Sequence, residues 1–542
     1  MAPKDLIGRR GFLRLSGLTA AALVGGPLLA ACNTTGPLSV SATPTVDFLP
    51  DLDLVLKATP SEVAILPGAA TRVWVYQGSV VKGDAASVQA IPGSYLGPII
   101  RVRKGQRVRV TLQNDLPEGQ ETIIHWHGLR VPASMDGHPR DAIAPSQQFV
   151  YEFEVTDQAG TYWFHPHPHG LTASQVIAGL AGLFIVSDDD EAKVTLPSGE
   201  FDLPVVIQDR VFDGNNQFIY GNDMMTTMMG FLGDRILING QPDLTLPVAT
   251  RAYRLRVLNG SNSRIYKLAW SDDTQLTVVG TDAGLLDAPV TRDYALLAPG
   301  ERLELWADFS GRSLGDELKL ISQAFTGAEG IVPTSGGSMG GMMGGGMMGN
   351  MSGAPALGTQ QDLLTVRVER QEAESLTLPT TLVPLKLLQA SDAVNANAPR
   401  QVVISQNNMT WKINGRDFDM DAVADGEKVK AGSIEIWDIV NEVNPGEMMD
   451  PLGMAHPFHI HGVHVQVLSR TLRTDYPEFT PGYESVSAGF VDNGWKDTVL
   501  IMPGETVRLL MRFHEQTGTF VYHCHNLEHA DQGMMRNYAA AA

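Results

Sequence analysis

Three stretches of the chain alternate apolar and polar residues with a period of two and then stop at asparagine. They are residues 107–114 (RVRVTLQN), 254–259 (RLRVLN) and 435–441 (EIWDIVN). Such alternation is what a strand with one face in a core requires, and a closing Asn suits the turn at its exit. Its recurrence predicts one β-domain type used three times. A second repeat is stronger. Residues 160–167 (GTYWFHPH) and 518–525 (GTFVYHCH) agree in residue class at every position, 358 residues apart. Each predicts an aromatic strand delivering a pair of histidines, so the first and third units carry equivalent halves of one site. The middle unit lacks the string.

The N-terminus has a different pattern. Residues 8–15 read GRRGFLRL, and residues 18–31 are apolar apart from the interruption at Gly25, Gly26 and Pro27, ending in Leu29-Ala30-Ala31-Cys32. The apolar run is too short to cross a bilayer and carries a positive flank, which predicts an export signal of the twin-arginine kind over residues 1–32, suited to a protein that folds around a cofactor before export. Its end resembles a lipobox, at which Cys32 would be acylated and become the mature N-terminus. The expectation is a periplasmic protein with a lipid anchor at Cys32, and Asn33 favours the outer membrane.

Residues 339–351 read MGGMMGGGMMGNM, too rich in glycine to pack as a regular element, which predicts a mobile loop. Pro-, Ser- and acid-rich stretches set domain limits near 195 and 365. The organisation expected is a leader (1–32), a first domain (45–195), a second containing the Gly/Met loop (196–365) and a third (366–542).

Composition narrows this further. The length of 542 residues is enough for three or four domains, and Gly 55 and Pro 32 fit a turn-rich all-β chain. Lys+Arg 40 against Asp+Glu 60 gives a net charge of −20, which repels nucleic acid and tolerates cationic or metal partners. The two cysteines, Cys32 and Cys524, lie in unrelated surroundings, which argues against a disulfide between them.

The candidate chemistry lies in the histidines. All 14 fall between His125 and His169 or between His456 and His529, with 286 histidine-free residues between the two windows. Four H-x-H pairs occur: His125 and His127, His165 and His167, His459 and His461, His523 and His525. On a strand, residues two apart share a face, so eight imidazoles can surround a small metal cluster. Imidazole alone does not name the metal. Cys524, between His523 and His525, faces the other side of the strand and serves a different ion. With His456, His529 and Met534 it supplies a thiolate, two imidazoles and a weak thioether, the donor set of a blue-copper site. A zinc site closes with four ligands and has no use for this arrangement.

Taken together, HWHG at 125–128, HPH at 165–167, HPFHIHG at 456–462 and HCHNLEHADQGM at 523–534 resemble the four signatures of multicopper oxidases, complete and in order. The resemblance runs from about residue 60 to the C-terminus and is nearest to bacterial copper-efflux (cuprous) oxidases and bacterial laccases. Residues 412–415 and 494–498 also resemble that subgroup. It implies an all-β fold of three cupredoxin-like Greek-key β-sandwich domains and four copper ions. His456, Cys524, His529 and Met534 would hold the type 1 copper, and His125 and His459 the type 2 copper. Of the type 3 pair, His127, His165 and His525 would hold one ion and His167, His461 and His523 the other. His138, His169, His464 and His514 are left as surface or hydrogen-bonded residues.

The implied reaction couples one-electron oxidation of a substrate to four-electron reduction of O2, with Cys524 leading from the type 1 site to the cluster. The family places an acid after the first H-x-H, matched by Asp136, whose simpler role is a turn before Gly137. Related enzymes carry Glu directly after the histidine matched by His529. This chain has Ala530, so Glu528 or Asp531 would have to stand in for it. Thioethers suit Cu(I), and methionines crowd residues 224–229, 339–351 and 448–454. Glu447, Met448, Met449 and Asp450 precede His456 and resemble the family's cuprous subsite at a different spacing. For residues 224–229, core filling is an equal reading. Cu(I) oxidation for copper tolerance by a monomer is the first expectation. A laccase acting on phenols or other metal ions, and a copper-sequestering lipoprotein without turnover, are the alternatives.

Overall fold

The computed structural model describes residues 45, 47–221, 223–328, 353–407, 410–443, 453–475 and 477–542. The leader with Cys32, the 339–351 loop, and Glu447, Met448, Met449 and Asp450 lie outside the described residues. Among those described, no helix is long and apolar enough to cross a membrane.

The strands form six sheets in three successive pairs, within residues 52–187, 202–370 and 400–541. Each pair encloses its own core. Leu54, Val110, Trp126 and Phe164 lie in the first, Leu255, Leu268 and Leu305 in the second, and Trp437, Ile439 and Leu509 in the third. The fold is thus all-β, in three sandwiches. Strand Gln361–Arg370 crosses the expected limit at 365 and pairs with Thr245–Ala249 and Glu317–Ser322, so by pairing it belongs wholly to the second sandwich.

The three alternating stretches are the equivalent strand of each sandwich: Arg107–Asn114, Ala252–Asn259 and Ile434–Asn441. Each is flanked by a parallel strand on one side and an antiparallel strand on the other, a mixed order that consecutive hairpins cannot produce. The closing asparagines also behave alike. Asn114 donates to the carbonyls of Gln120 and Ile143, Asn259 to those of Arg264 and Leu297, and Asn441 to those of Met454 and Ile501. Each amide ties the strand's exit to two backbone carbonyls of neighbouring segments.

The wet face predicted by alternation exists only in the first sandwich, where half-buried and buried positions alternate without a break. In the second the strand is buried throughout. Its polar residues Arg254 and Arg256 face the first sandwich and bind Glu304, Glu191 and Asp202, with Thr161 completing the contact. The same alternation therefore serves a buried, ion-paired face between domains.

Candidate metal centre

The first and third sandwiches each present a two-stranded histidine platform. Strand Ile124–His127 pairs antiparallel with Gly160–Pro166, setting His125 opposite His165. Strand His456–Ile460 pairs with Gly518–Cys524, setting His459 opposite His523. Between the platforms lie the eight imidazoles of the four H-x-H pairs, all buried.

Their protons are placed by the oxygens around them. A carbonyl only accepts, so His125, His165, His459 and His523 carry hydrogen on Nδ1. They donate to the carbonyls of Asp136 (2.9 Å), Pro166 (2.9 Å), Asp497 (2.8 Å) and Cys524 (2.9 Å). His461 Nδ1 donates to Asp136 Oδ2 at 2.7 Å. Each of these five rings keeps a bare Nε2 for another partner. His127 is reversed: its Nε2 faces Asp497 Oδ1 at 2.9 Å and Thr498 Oγ1 at 3.1 Å, leaving Nδ1 bare.

The bare nitrogens converge. His125 Nε2 lies 3.2 Å from His459 Nε2, and His523 Nε2 lies 3.2 Å from His461 Nε2 and 3.3 Å from His167 Nε2. Nδ1 of His167 and both ring nitrogens of His525 are buried without a hydrogen-bond partner. Burial, with the neighbouring imidazoles, holds His127, His167, His459 and His461 well below the usual histidine value, and burial brings His523 down to about 4. Lone pairs of neutral rings facing one another in a dry pocket repel. A metal cation is what turns this donor set into an attractive one, so the residues fit the implied copper.

Cys524 lies on the same strand as His523 but points away from the cluster. It is a buried free thiol, with Sγ 3.5 Å from His456 Nδ1 and 3.7 Å from His529 Nδ1. The Asn526 N–H donates to it at 3.4 Å. Burial pushes the thiol well above its usual range, so a thiolate here needs a cation held with the two imidazoles. His529 is carried on the short helix Leu527–Asp531, and Met534 is fully buried and tied by its backbone to Cys524 N and His529 O. The ten histidines and Cys524 thus fall into two groups joined by adjacent residues, with Met534 beside the second. Of the four residues left without a role, His138 bonds Asn537 and His464 the Gly128 carbonyl, while His169 packs on Phe418 and His514 accepts from Gln516 N–H.

Asp136 is both a turn residue and part of the site. Gly137 follows it at φ +80°, where any Cβ would strike the Ile124 carbonyl. The Asp136 carboxylate and carbonyl reach two cluster histidines, and Oδ1 has no hydrogen-bond partner. Of the acids near Ala530, Glu528 accepts from Ser263, Asn262, Tyr220 and the Phe231 N–H, and Asp531 from the N–H groups of Thr172 and Ala173. Burial pushes the Asp531 carboxyl from 3.8 up to about 7. Between those values the native protein holds a proton the unfolded chain has lost, so this group favours folding at the acid end, and the contribution is lost as pH rises. Asp531→Asn removes the ionisation. Its Tm relative to wild type is expected to be more favourable at pH 8 than at pH 5, and a difference independent of pH would contradict this.

Several supporting residues escaped the sequence reading. Asp497 and Thr498 belong to the 494–498 string but drew no role there. Trp411, on strand Thr410–Ile413, packs against His456 at 4.4 Å between ring centroids and donates to the Met228 carbonyl (2.9 Å). That same carbonyl accepts from His529 Nε2 at 2.8 Å. Met228 lies on the helix Met224–Met229, on which Met224 is 64% and Met225 42% exposed, so half of this methionine cluster is not core filling.

Cupredoxin-like sandwiches bearing a Cys-His-His set wired to a histidine cluster place the chain among the copper proteins. Multicopper oxidase family models match residues 73–191 and 393–542, the two histidine-bearing parts. The multicopper oxidase mco of Staphylococcus haemolyticus is 30% identical over 84% of this chain and 84% of its own length. The cell division protein FtsP of Shigella dysenteriae is also 30% identical, over 84% of this chain and 86% of its own. The crystal structure of the McoA multicopper oxidase from Aquifex aeolicus superposes with a TM-score of 0.73 at 30% identity, covering 91% of this chain and 97% of that one. The chain belongs to the multicopper oxidase family, copper oxidoreductases with O2 as acceptor.

Proposed function

We propose that the protein is a cuprous oxidase carrying four copper ions, one type 1, one type 2 and a type 3 pair, on the residues assigned to each above. The observation that carries this reading is the set of bare Nε2 atoms 3.2–3.3 Å apart, one residue away from a buried Cys-His-His group. Bound copper supplies one-electron redox chemistry at the sulfur site and oxygen reduction at the cluster. The chain's part is positional. Cys524 connects by peptide bonds to His523 and His525, giving electrons a covalent path, while His529 Nε2 points outward to the methionine helix.

That helix favours Cu(I) as substrate. The exposed thioethers of Met224 and Met225 are soft donors, and the Met228 carbonyl on the same helix is bonded to a sulfur-site ligand. Glu447, Met448, Met449 and Asp450 are proposed to complete the capture site and the 339–351 loop to feed it. A role in cell division without copper chemistry, the kind of role the name of the cell division protein FtsP raises, is disfavoured by the full ligand set. We assign the protein to the periplasm, exported by the twin-arginine route and anchored through Cys32, on the strength of the leader's sequence.

Steady-state O2 uptake with Cu(I), a phenol and Fe(II) tests the reading. Cu(I) is expected to outperform both other donors. Faster phenol oxidation would make the protein a laccase, and no uptake by copper-loaded protein a store. Met224→Leu with Met225→Leu is expected to raise the KM for Cu(I) severalfold while kcat holds, with phenol kinetics unchanged. Unchanged Cu(I) kinetics would remove the helix from substrate capture, and an intact Cu(I) rate after deletion of 339–351 would do the same for the loop.

A further inference from the structure

The middle sandwich has no histidine, yet it reaches the cluster. Between its strands Ala295–Leu297 and Arg302–Asp308, the chain turns through Gly300 at φ +87°. A Cβ there would lie 3.1 Å from His127 Cε1 and 3.1 Å from His525 Cγ and Cδ2. The middle sandwich thus comes so near to two of the three rings assigned to one type 3 ion that a side chain at this position would crowd them.

Two residues further on, Arg302 is fully buried and uses all five of its N–H groups. Nε donates to the Thr161 carbonyl (2.9 Å), Nη1 to the Gly300 carbonyl (3.0 Å) and Asp497 Oδ1 (2.8 Å), and Nη2 to the Asp282 carbonyl (2.6 Å) and Asp497 Oδ2 (2.6 Å). Thr161 lies on the strand that carries His165, and Asp497 belongs to the third sandwich. One guanidinium therefore joins all three sandwiches. Its two bonds to Asp497 fix the carboxylate that takes the Nε2 proton of His127, the one ring in the cluster reversed in this way. Without that acceptor His127 Nε2 faces only the Thr498 hydroxyl, which donates as readily as it accepts, so the ring can take the tautomer of its neighbours, with its proton on the nitrogen meant for metal.

We propose that the middle sandwich is a positioning element of the type 3 site: Gly300 sets the place of the His127 and His525 rings, and Arg302, through Asp497, sets the tautomer of His127. The proposal rests on the four-copper reading. It predicts that the ion held by His127, His165 and His525 depends on residues of a domain that supplies no ligand.

The test is Gly300→Ala beside Gly315→Ala. Both glycines lie in the middle sandwich at nearly equal φ, +87° and +89°, but Gly315 has nothing within 4 Å of its would-be Cβ. Backbone strain is thus matched and only the contact differs. In copper-loaded Gly300→Ala the visible band of the sulfur site is expected to persist. EPR-detectable copper should rise as the coupled pair is disturbed, and turnover should fall by about 10–100-fold, the usual range for loss of support behind a ligand. Gly315→Ala should match wild type. Asp497→Asn keeps volume and so guards against misfolding of the first variant; because both carboxylate oxygens accept, its amide nitrogen must face a donor, Arg302 or His127, and losing that bond should raise the EPR-detectable copper in the same way. If EPR and turnover of both Gly300→Ala and Asp497→Asn equal those of Gly315→Ala, the proposal is overturned. A wild type lacking the visible band would instead sink the copper reading beneath it.

Discussion

Cys524→Ser is expected to erase the intense visible absorption of the copper-loaded protein, to lower its copper content by one ion, and to abolish oxidase activity with every reductant. The side chain is buried and nearly isosteric with serine, and the Asn526 N–H that faces Sγ can donate equally well to a hydroxyl oxygen, so the fold should survive. What is lost is chemical. A serine hydroxyl stays protonated and hard, whereas the site asks for a soft anionic ligand between His456 and His529. The covalent path to His523 and His525 also begins at this sulfur. Turnover should drop by more than about 10³-fold, the order expected when one member of a unit that works only as a whole is removed. The cluster imidazoles are on the opposite face of the strand and should keep their metal. Metal analysis, the visible spectrum and O2 uptake read the three consequences separately. A variant that stays blue, or that retains substantial uptake, would show that electrons reach the cluster by another way.

The threefold repeat was legible in the sequence because each sandwich needs the same central strand and the same amide at its end. Alternation betrays the strand, and Asn114, Asn259 and Asn441 perform one task at three equivalent corners. What alternation could not show is which polar faces meet water. Arg254 and Arg256 read like surface residues, and only their partners Glu304 and Asp202 on neighbouring elements make their burial tolerable. Likewise the limit near 365 was drawn from composition, but strand membership is decided by pairing with residues more than a hundred positions away.

The gathering of the histidines beside Cys524 was legible for a related reason. Metal geometry demands two imidazoles on one face of a strand, which forces the H-x-H spacing, and a sulfur on the opposite face, which forces Cys524 between two histidines. The residues that orient those ligands obey no such spacing. Arg302 lies 175 positions from His127 and Asp497 lies 370, each on a different sandwich, and each reads locally as an ordinary charged residue. Gly300 carries no chemical signal at all. Its importance lies in what its missing side chain leaves room for. Support of this kind becomes visible only when three sandwiches are closed around the site.

The second large effect concerns Asp136. Its carboxylate takes the Nδ1 proton of His461 and its own carbonyl takes that of His125, so one residue orients a ring assigned to the type 3 pair and one assigned to the type 2 ion. The carbonyl survives any substitution, whereas the carboxylate does not. Asp136→Ala should therefore release His461 while His125 stays held, and turnover should fall by at least about 10-fold through loss of ligand orientation alone. Asp136→Asn separates this from proton supply. The amide oxygen can accept from His461 Nδ1 in the same place, which restores orientation and copper content, but an amide neither carries the negative charge nor delivers a proton. If Asp136 also feeds protons to oxygen reduction, Asn should bind a full complement of copper and still turn over about 10²-fold or more below wild type, the usual contribution of a positioned acid. Its Oδ1, buried and without a hydrogen-bond partner, is the atom such a proton would use. We expect that outcome, measured as O2 uptake at equal copper loading. Recovery of both copper and turnover in Asp136→Asn would reduce Asp136 to a positioning residue, and normal turnover in Asp136→Ala would remove it from the mechanism.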